Sequence, residues 1–234
     1  MSDPNTYTVY FGGELFSAKH LFGNAALAEA IFEQSHGRFT SVLPQNLEQR
    51  EVSARAIRDQ DLRTLLDCDL GLFHYDGPEL DSGTVVEYLF AKFADIPSVL
   101  LRTDFRHGGD QLERASDAWN LMSSFYPRTK VVQLDSMALY KQGLVQATGA
   151  LGAGPAQLED GRSLRAGQWM TSQVAAMVIE AFESLLPSSP VLPQPLAESV
   201  YEWLALMPGL GGDAAANIRA SLDLCARKKK KGLL

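Results

Sequence analysis

The chain has little cysteine and no long apolar run. Only two of its 234 residues are cysteines, Cys68 and Cys225, and no CxxC pair or Cys/His cluster surrounds them. Their scarcity argues against a disulfide framework or a zinc site and suits a reducing compartment. No run of about 18 apolar residues occurs, as a membrane span would need. The first residues, MSDPNTYTVYF, have neither a basic start nor an apolar core. We therefore expect a cytoplasmic location and no membrane partner.

Common signatures of nucleotide and hydrolase chemistry are also missing. There is no GxxxxGK[ST] phosphate loop and no GxSxG nucleophile elbow, and GALGAG at 149–154 lacks the GxGxxG spacing. The four histidines occur singly, without the spacing of metal ligands: His20, His36, His74 and His107. We expect no metal and no cofactor. His74, at a strand end, could border a pocket, although a surface or capping role is commoner.

Basic residues are scarce outside the C-terminal end of the sequence. The net charge is −7, but Arg227–Lys231 (RKKKK) supply five of the 21 basic residues, so residues 1–226 carry 16 basic and 28 acidic groups. A body this acidic repels phosphate backbones, which counts against a nucleic-acid partner. The basic run is predicted to be a solvated, frayed terminus, with contact to a membrane surface or nucleic acid as the alternative.

The composition is that of a globular protein, with 46% hydrophobic and 21% charged residues. Strand and helix patterns alternate in the first 145 residues, and they predict strands at Tyr7–Gly12, Phe39–Leu43, Leu70–Tyr75, Ser98–Arg102 and Lys130–Leu134. Five strands separated by helices indicate an α/β fold with a parallel, doubly wound sheet of the flavodoxin or Rossmann type. In such sheets the ligand crevice lies beyond the carboxyl ends of the strands.

The pattern changes after residue 148. A glycine-rich connection, Gly149–Arg162, precedes helices predicted at about 163–186, 196–206 and 213–226, with a proline-rich break at Pro187–Pro195. We predict a catalytic α/β domain at 1–148 and a helical C-terminal extension at 149–234. The extension is expected to pack on the core or on a neighbouring subunit.

The helix after the third strand carries an isolated carboxylate. It is apolar almost all round, which is typical of a central, buried helix, yet it includes Glu87. Because an unpaired buried carboxylate is costly, Glu87 is expected to have a specific partner or role. Asp81 adds a second carboxylate at the carboxyl end of a central strand. The simpler alternative makes Glu87 a rim residue and Asp81 the N-cap of the helix.

Four short segments in order resemble the nucleoside 2-deoxyribosyltransferase family. They are TVYFGGELFS (Thr8–Ser17), RDQDLRTLLDCDLGL (Arg58–Leu72), DSGTVVE (Asp81–Glu87) and WNLM (Trp119–Met122). The resemblance covers roughly residues 7–145. It implies three catalytic residues, with Glu87 as the nucleophile beside Tyr10 and Asp61. It also implies a set of substrate-binding residues, namely Asp81, Asn120, Gly12 and Phe11.

The resemblance implies a two-step transfer between a 2'-deoxynucleoside and a free nucleobase. Glu87 would attack the anomeric carbon and form a covalent deoxyribosyl ester, which the second base would attack with retention of configuration. Tyr10 would position the Glu87 carboxylate, and Asp61 would bind the base and exchange a proton with it. Asn120 would reach the active site of a neighbouring subunit, which implies a homo-oligomer, either a dimer or a hexamer.

Two alternatives stay open. Related hydrolases of 2'-deoxynucleoside 5'-monophosphates resemble this sequence but carry serine in the places of Asp81 and Asn120. An aspartate repels a phosphate dianion and can accept a hydrogen bond from a free 5'-hydroxyl, which favours a nucleoside substrate. The other alternative is a non-catalytic nucleoside-binding module, although such a module has no need of a nucleophile. Nothing in the sequence chooses between purine and pyrimidine bases.

Overall fold

A computed structural model of the chain describes residues 5–47, 53–105, 119–148 and 160–234. The strands are β1 (Tyr7–Gly12), β2 (Phe39–Val42), β3 (Leu70–His74), β4 (Ser98–Arg102) and β5 (Thr129–Gln133). The helices are α1 (Ala18–Gln34), α2 (Ala54–Asp67), α3 (Ser82–Phe93), α4 (Ser136–Thr148), α5 (Arg162–Leu185), α6 (Ala197–Leu206) and α7 (Ala214–Lys230). Within these ranges no helix combines the length and the apolar character that crossing a membrane requires.

The five strands form one parallel sheet in the order β2-β1-β3-β4-β5. This confirms the predicted doubly wound α/β fold. The chain runs outward from β1 to β2 and then returns to β3 on the other side of β1, so the order reverses between β1 and β3. Such a switch point opens a crevice at the carboxyl ends of the two strands, where Gly12 and His74 lie.

Alternation along β1 distributes side chains to the two faces of the sheet. Tyr10 packs in one hydrophobic cluster with residues of α2, α3, α6 and α7. Val9 and Phe11 pack in a second cluster with residues of α1 and α5. Because successive residues of a strand point to opposite faces, the sheet is covered by helices on both sides.

The helices after residue 160 are part of these two layers. Helix α5 packs against α1, α4 and the strands β4 and β5. Its Phe182 is fully buried, with its ring 5.1 Å from that of Phe39. On the other face, the hydroxyl of the buried Tyr201 in α6 donates a 3.0 Å hydrogen bond to the Ala94 carbonyl. The described part of the extension thus packs on the core. The domain boundary after residue 148 stays a prediction, since residues 149–159 lie outside the described ranges.

The basic run near the end of the chain is docked, and the prediction of a frayed terminus is wrong. Helix α7 continues to Lys230, and Lys228 is only 1% exposed because its ammonium donates to the Cys68 carbonyl. Lys231 Nζ lies 2.7 Å from Asp69 Oδ2. Leu233 is buried. Partners at the amino ends of the strands therefore hold this segment, which a charge pattern alone does not reveal.

Candidate active site

A hydrogen bond between Tyr10 and Glu87 marks the crevice at the switch point. The Tyr10 hydroxyl donates to Glu87 Oε1 at 2.8 Å. The side chain of Tyr10 is completely buried near the end of β1. Glu87 lies in the second turn of α3, the helix that follows β3. The fold thus brings together two predicted catalytic residues at the place where a doubly wound sheet binds its ligands.

Gly12 makes room for the other oxygen of the Glu87 carboxylate. A Cβ atom placed on Gly12 would lie 2.7 Å from Glu87 Oε2 and 2.9 Å from the ring of Phe73. Both distances are too short for real Cβ contacts, so any side chain here would displace the carboxylate or the ring. The carboxylate is therefore fixed by the Tyr10 hydroxyl at Oε1 and lies against the Gly12 backbone at Oε2.

Burial and neighbouring negative charge shift the ionisation of this carboxylate. Burial raises the pKa of Glu87, the hydrogen bond from Tyr10 lowers it, and the charges of Asp61 and Asp81 raise it, so that the net pKa is about 7. Burial also raises the pKa of the Tyr10 hydroxyl, with the charge of Glu87 as the next cause. With its pKa raised in this way, the Glu87 carboxyl can retain a proton near neutral pH.

Asp61 faces the same group from α2. Burial raises the pKa of its carboxyl, and its charge acts on both Glu87 and Tyr10. Within the described part of the chain, the buried Asp61 Oδ1 has no hydrogen-bond partner. A buried polar atom without a partner is costly unless a ligand or water satisfies it. Asp61 is thus suited to bind a polar ligand group and to carry a proton.

Asp81 caps the helix that carries Glu87. Its Oδ2 accepts hydrogen bonds from the Thr84 amide at 2.7 Å and from the Thr84 hydroxyl at 2.9 Å. The simpler reading of Asp81 as an N-cap is therefore confirmed. The two recorded bonds share one carboxylate oxygen, so capping does not conflict with binding a ligand through the other.

Two predicted site residues are not brought to Glu87 within one chain. The side chain of Phe11 packs on the opposite face of the sheet, with its ring 6.4 Å from that of His74. Asn120 caps a short 3-10 turn, Leu121–Ser123, and borders a groove of about 560 Å³ beside Val86 of α3. Glu87 does not line this groove. A role for Asn120 across a subunit interface stays a prediction.

A second cavity, of about 250 Å³, opens on the α1 and α5 side of the strand ends. His74 borders it, and its Nε2 lies 2.9 Å from Asp76 Oδ2. Asp76 also accepts hydrogen bonds from the amides of Thr103 and Asp104. Burial raises the pKa of Asp76, but the bonds from His74 and Thr103 outweigh it and hold the pKa below its usual range. No motif in the sequence points to Asp76, and its position directly after β3 is the signal that could have found it.

No cluster of three or more His, Cys, Asp or Glu side chains suited to a metal ion occurs among the described residues. Of the carboxylates at the crevice, Glu87 accepts a hydrogen bond from a hydroxyl and Asp81 accepts from an amide and a hydroxyl. The arrangement can hold a nucleophilic carboxylate next to a second carboxyl that carries a proton.

Comparison with known proteins shows what this chain is similar to. A conserved protein from Enterococcus faecalis V583, whose crystal structure is known, is 29% identical over 55% of this chain and 91% of its own, with a TM-score of 0.46. No curated protein sequence matches this chain significantly. The family model for nucleoside 2-deoxyribosyltransferase matches residues 9–122, a span that holds every predicted site residue from Tyr10 to Asn120. Residues 9–122 of the chain are thus similar to the nucleoside 2-deoxyribosyltransferase family.

Proposed function

We propose that this protein is a nucleoside 2-deoxyribosyltransferase, moving 2-deoxyribose from a 2'-deoxynucleoside to an acceptor nucleobase. The observation that carries the proposal is the 2.8 Å hydrogen bond from Tyr10 to Glu87 at the switch point. It lies inside the span that matches the family. A carboxylate fixed by one oxygen and lying against glycine is suited to attack a sugar carbon along one direction.

The first half of the reaction forms an ester on Glu87. Glu87 Oε2 attacks the anomeric carbon, the glycosidic carbon–nitrogen bond breaks, and its electron pair leaves with the base. Asp61 gives the departing base a proton. In the second half a nitrogen of the acceptor base attacks the same carbon, the ester bond breaks, and Asp61 takes a proton back. Two displacements give retention of configuration.

The shifted pKa values fit this division of roles. Glu87 must be ionised to attack, whereas Asp61 must hold a proton to give. Burial raises the pKa values of both Glu87 and Asp61. Because two ionised carboxylates would also repel each other, the pair is most stable with one proton between them. The hydrogen bond from Tyr10 favours the charge on Glu87 and leaves the proton to Asp61.

Charge at the crevice favours a nucleoside over a nucleotide. Asp61, Asp81 and Glu87 are all acidic, and a phosphate dianion among them would be repelled. The free oxygen of a capping carboxylate such as Asp81 can instead accept a hydrogen bond from a 5'-hydroxyl. Hydrolysis of deoxynucleoside 5'-monophosphates and nucleoside binding without catalysis are the alternatives that the experiment below distinguishes.

The surface around Asn120 supports the proposed homo-oligomer. Val86 and Met122 line the groove beside Asn120, and they are 60% and 72% exposed. Exposed apolar side chains at a groove are typical of an interface between subunits. A dimer that covers this surface would carry Asn120 toward the partner's site. Light scattering of Met122→Glu should then show a smaller particle than the wild type, and a monomeric wild type would contradict the assembly.

The activity is tested with deoxyadenosine and a second free base, followed by chromatography. We expect a new deoxynucleoside only when the acceptor base is present. Glu87→Gln should abolish the exchange, whereas Glu202→Gln, which changes an exposed glutamate on α6, should leave it intact. Release of deoxyribose phosphate from a deoxynucleotide, without exchange, would establish the hydrolase instead. Binding without turnover of either substrate would establish the non-catalytic module.

A further inference from the structure

The loop between α6 and α7, residues Met207–Asp213, holds α2 along one side. The Gly211 amide donates a 2.7 Å hydrogen bond to Asp59 Oδ2. In return, Arg63 Nη2 donates to the Gly211 carbonyl at 2.7 Å, and Arg55 Nη2 donates to the Gly209 carbonyl at 2.8 Å. Three residues of α2, one per turn, therefore contact this loop.

The centre of this contact is a buried carboxylate that the proposed mechanism does not use. Asp59 is only 3% exposed. Besides the Gly211 amide, it accepts hydrogen bonds from the Arg58 guanidinium. Burial raises the pKa of Asp59, but these bonds outweigh it and the net shift is downward. Asp59 is therefore an ionised, fully engaged anchor between α2 and the loop.

The last turn of α7 holds the other end of α2. Arg227 Nη2 donates to the Asp67 carbonyl at 2.6 Å and lies 2.9 Å from Asp67 Oδ1. The buried Lys228 donates to the Cys68 carbonyl, directly after α2. The C-terminal segment thus binds α2 both along its side and at its end.

Helix α2 also carries Asp61, two residues from the anchor. Two residues in an α-helix are separated by about 200° of rotation, so Asp59 and Asp61 point in nearly opposite directions. Asp59 faces the loop, and Asp61 faces Tyr10 and Glu87. A rotation or slide of α2 at the loop side would therefore shift the Asp61 carboxyl at the crevice.

We propose that Asp59 is a positioning residue that, through its hydrogen bond to the Gly211 amide, fixes α2 so that the Asp61 carboxyl lies beside Glu87 and Tyr10. The segment Ala197–Leu234 then acts on the active site through α2 without touching the substrate. The inference rests on the proposed function, in which Asp61 exchanges a proton with the base.

The test compares Asp59→Ala with two matched variants. Asp59→Asn keeps an acceptor oxygen for the Gly211 amide and is the conservative rescue. Phe182→Leu destabilises α5 on the opposite face of the sheet and controls for lost stability alone. Should Asp59→Ala not fold, the exposed Arg63→Ala removes two bonds to the C-terminal segment and takes its place.

Two readouts are measured on each full-length variant. The first is kcat and KM for transfer between a deoxynucleoside and a free base. The second is the titration of the Asp61 carboxyl by NMR in protein with ¹³C-labelled aspartate, assigned with Asp61→Asn. Tyr10 and Glu87 are the groups that couple to this titration, so both are kept unchanged in all variants.

We expect Asp59→Ala to lower kcat by about 10- to 100-fold, as a displacement near 1 Å would. KM should change little, and the pKa of Asp61 should fall toward its ordinary value as the carboxyl gains solvent. Asp59→Asn should keep kcat and the pKa of Asp61 close to their wild-type values. Phe182→Leu should lower only the melting temperature.

The proposal is overturned if Asp61 titrates in Asp59→Ala as it does in the wild type. It is also overturned if Phe182→Leu changes kcat and the Asp61 titration as much as Asp59→Ala does. If the wild type catalyses no transfer or hydrolysis, the proposed function fails. The NMR titration then still decides whether Asp59 positions Asp61.

Discussion

Tyr10 and Glu87 lie 77 residues apart in sequence, yet the tyrosine hydroxyl donates a 2.8 Å hydrogen bond to the glutamate carboxylate. The bond joins the end of β1 to the helix after β3 across the switch point of the sheet. It also lowers the pKa of a carboxyl that burial, Asp61 and Asp81 raise. This pair therefore connects the fold to the ionisation state that the proposed chemistry needs.

Tyr10→Phe should move the pH dependence of transfer. Without the hydroxyl, the pKa of Glu87 rises above its value of about 7, so less of the nucleophile is ionised at neutral pH. The acid limb of kcat/KM should shift upward, and the rate at pH 7 should fall about tenfold. A pH–rate profile from pH 5 to 9 checks this. An acid limb in the same place as in the wild type would show that the bond does not tune Glu87.

Glu87→Gln should stabilise the folded protein at alkaline pH. The pKa of Glu87 is raised on folding from 4.5 to about 7, so the folded state holds its proton more tightly than the unfolded state does. The contribution of Glu87 to the free energy of unfolding is then largest below pH 4.5, and it declines as the pH rises through about 7. Glutamine removes this decline, and the variant should be more stable at pH 8 by about 1–3 kcal/mol. Urea unfolding at pH 4.5 and pH 8 measures the difference, which should nearly vanish at the lower pH.

Gly12→Ala should damage activity far more than the size of a methyl group suggests. The new Cβ would lie 2.7 Å from Glu87 Oε2, so the carboxylate must move from its position. We expect a loss in kcat of about 100-fold. Gly23→Ala is the matched control, since a Cβ there meets nothing within 4 Å and α1 should gain about 0.5–1 kcal/mol. Steady-state kinetics and urea unfolding of both variants separate the two effects, and an active Gly12→Ala would refute the assigned position of the carboxylate.

Lys231→Ala should destabilise the fold although it changes a residue of the basic run. The ammonium pairs with the buried Asp69 at 2.7 Å and lies 4.6 Å from the ring of Tyr7. Its loss leaves Asp69 without this counter-charge, which should cost about 1–3 kcal/mol. The neighbouring Lys230 is exposed, so Lys230→Ala should stay within about 0.5 kcal/mol of the wild type. Equal unfolding midpoints for the two variants would show that the docked segment contributes nothing.

The sheet could be predicted from the sequence because its central strands are short, apolar runs bounded by turns. The predicted strand Ser98–Arg102 is confirmed with the same bounds, and all of its residues are buried. The docked basic run could not be predicted in this way. Its partners, Cys68 and Asp69, are distant in sequence, and only the folded sheet places them next to Lys228 and Lys231.

Some residues of the candidate site could be predicted from the sequence and others could not. The resemblance identified Tyr10 and Glu87, and the fold brings them together. Alternation along β1 already indicates that Phe11 points to the opposite face from Tyr10, as the structure has it. Asp59 lies in the segment Arg58–Leu72, but the resemblance gives it no role, and its contact with Gly211 depends on a loop that follows it by 152 residues.

The covalent step is the most direct test of the proposed function. Wild-type protein is incubated with a 2'-deoxynucleoside and no acceptor base, quenched with acid, digested and examined by mass spectrometry. One deoxyribosyl group should be found on the peptide that contains Glu87, and it should disappear when a free base is added before quenching. A wild type that exchanges bases with no label on that peptide, or the same label in Glu87→Gln, would contradict Glu87 as the nucleophile.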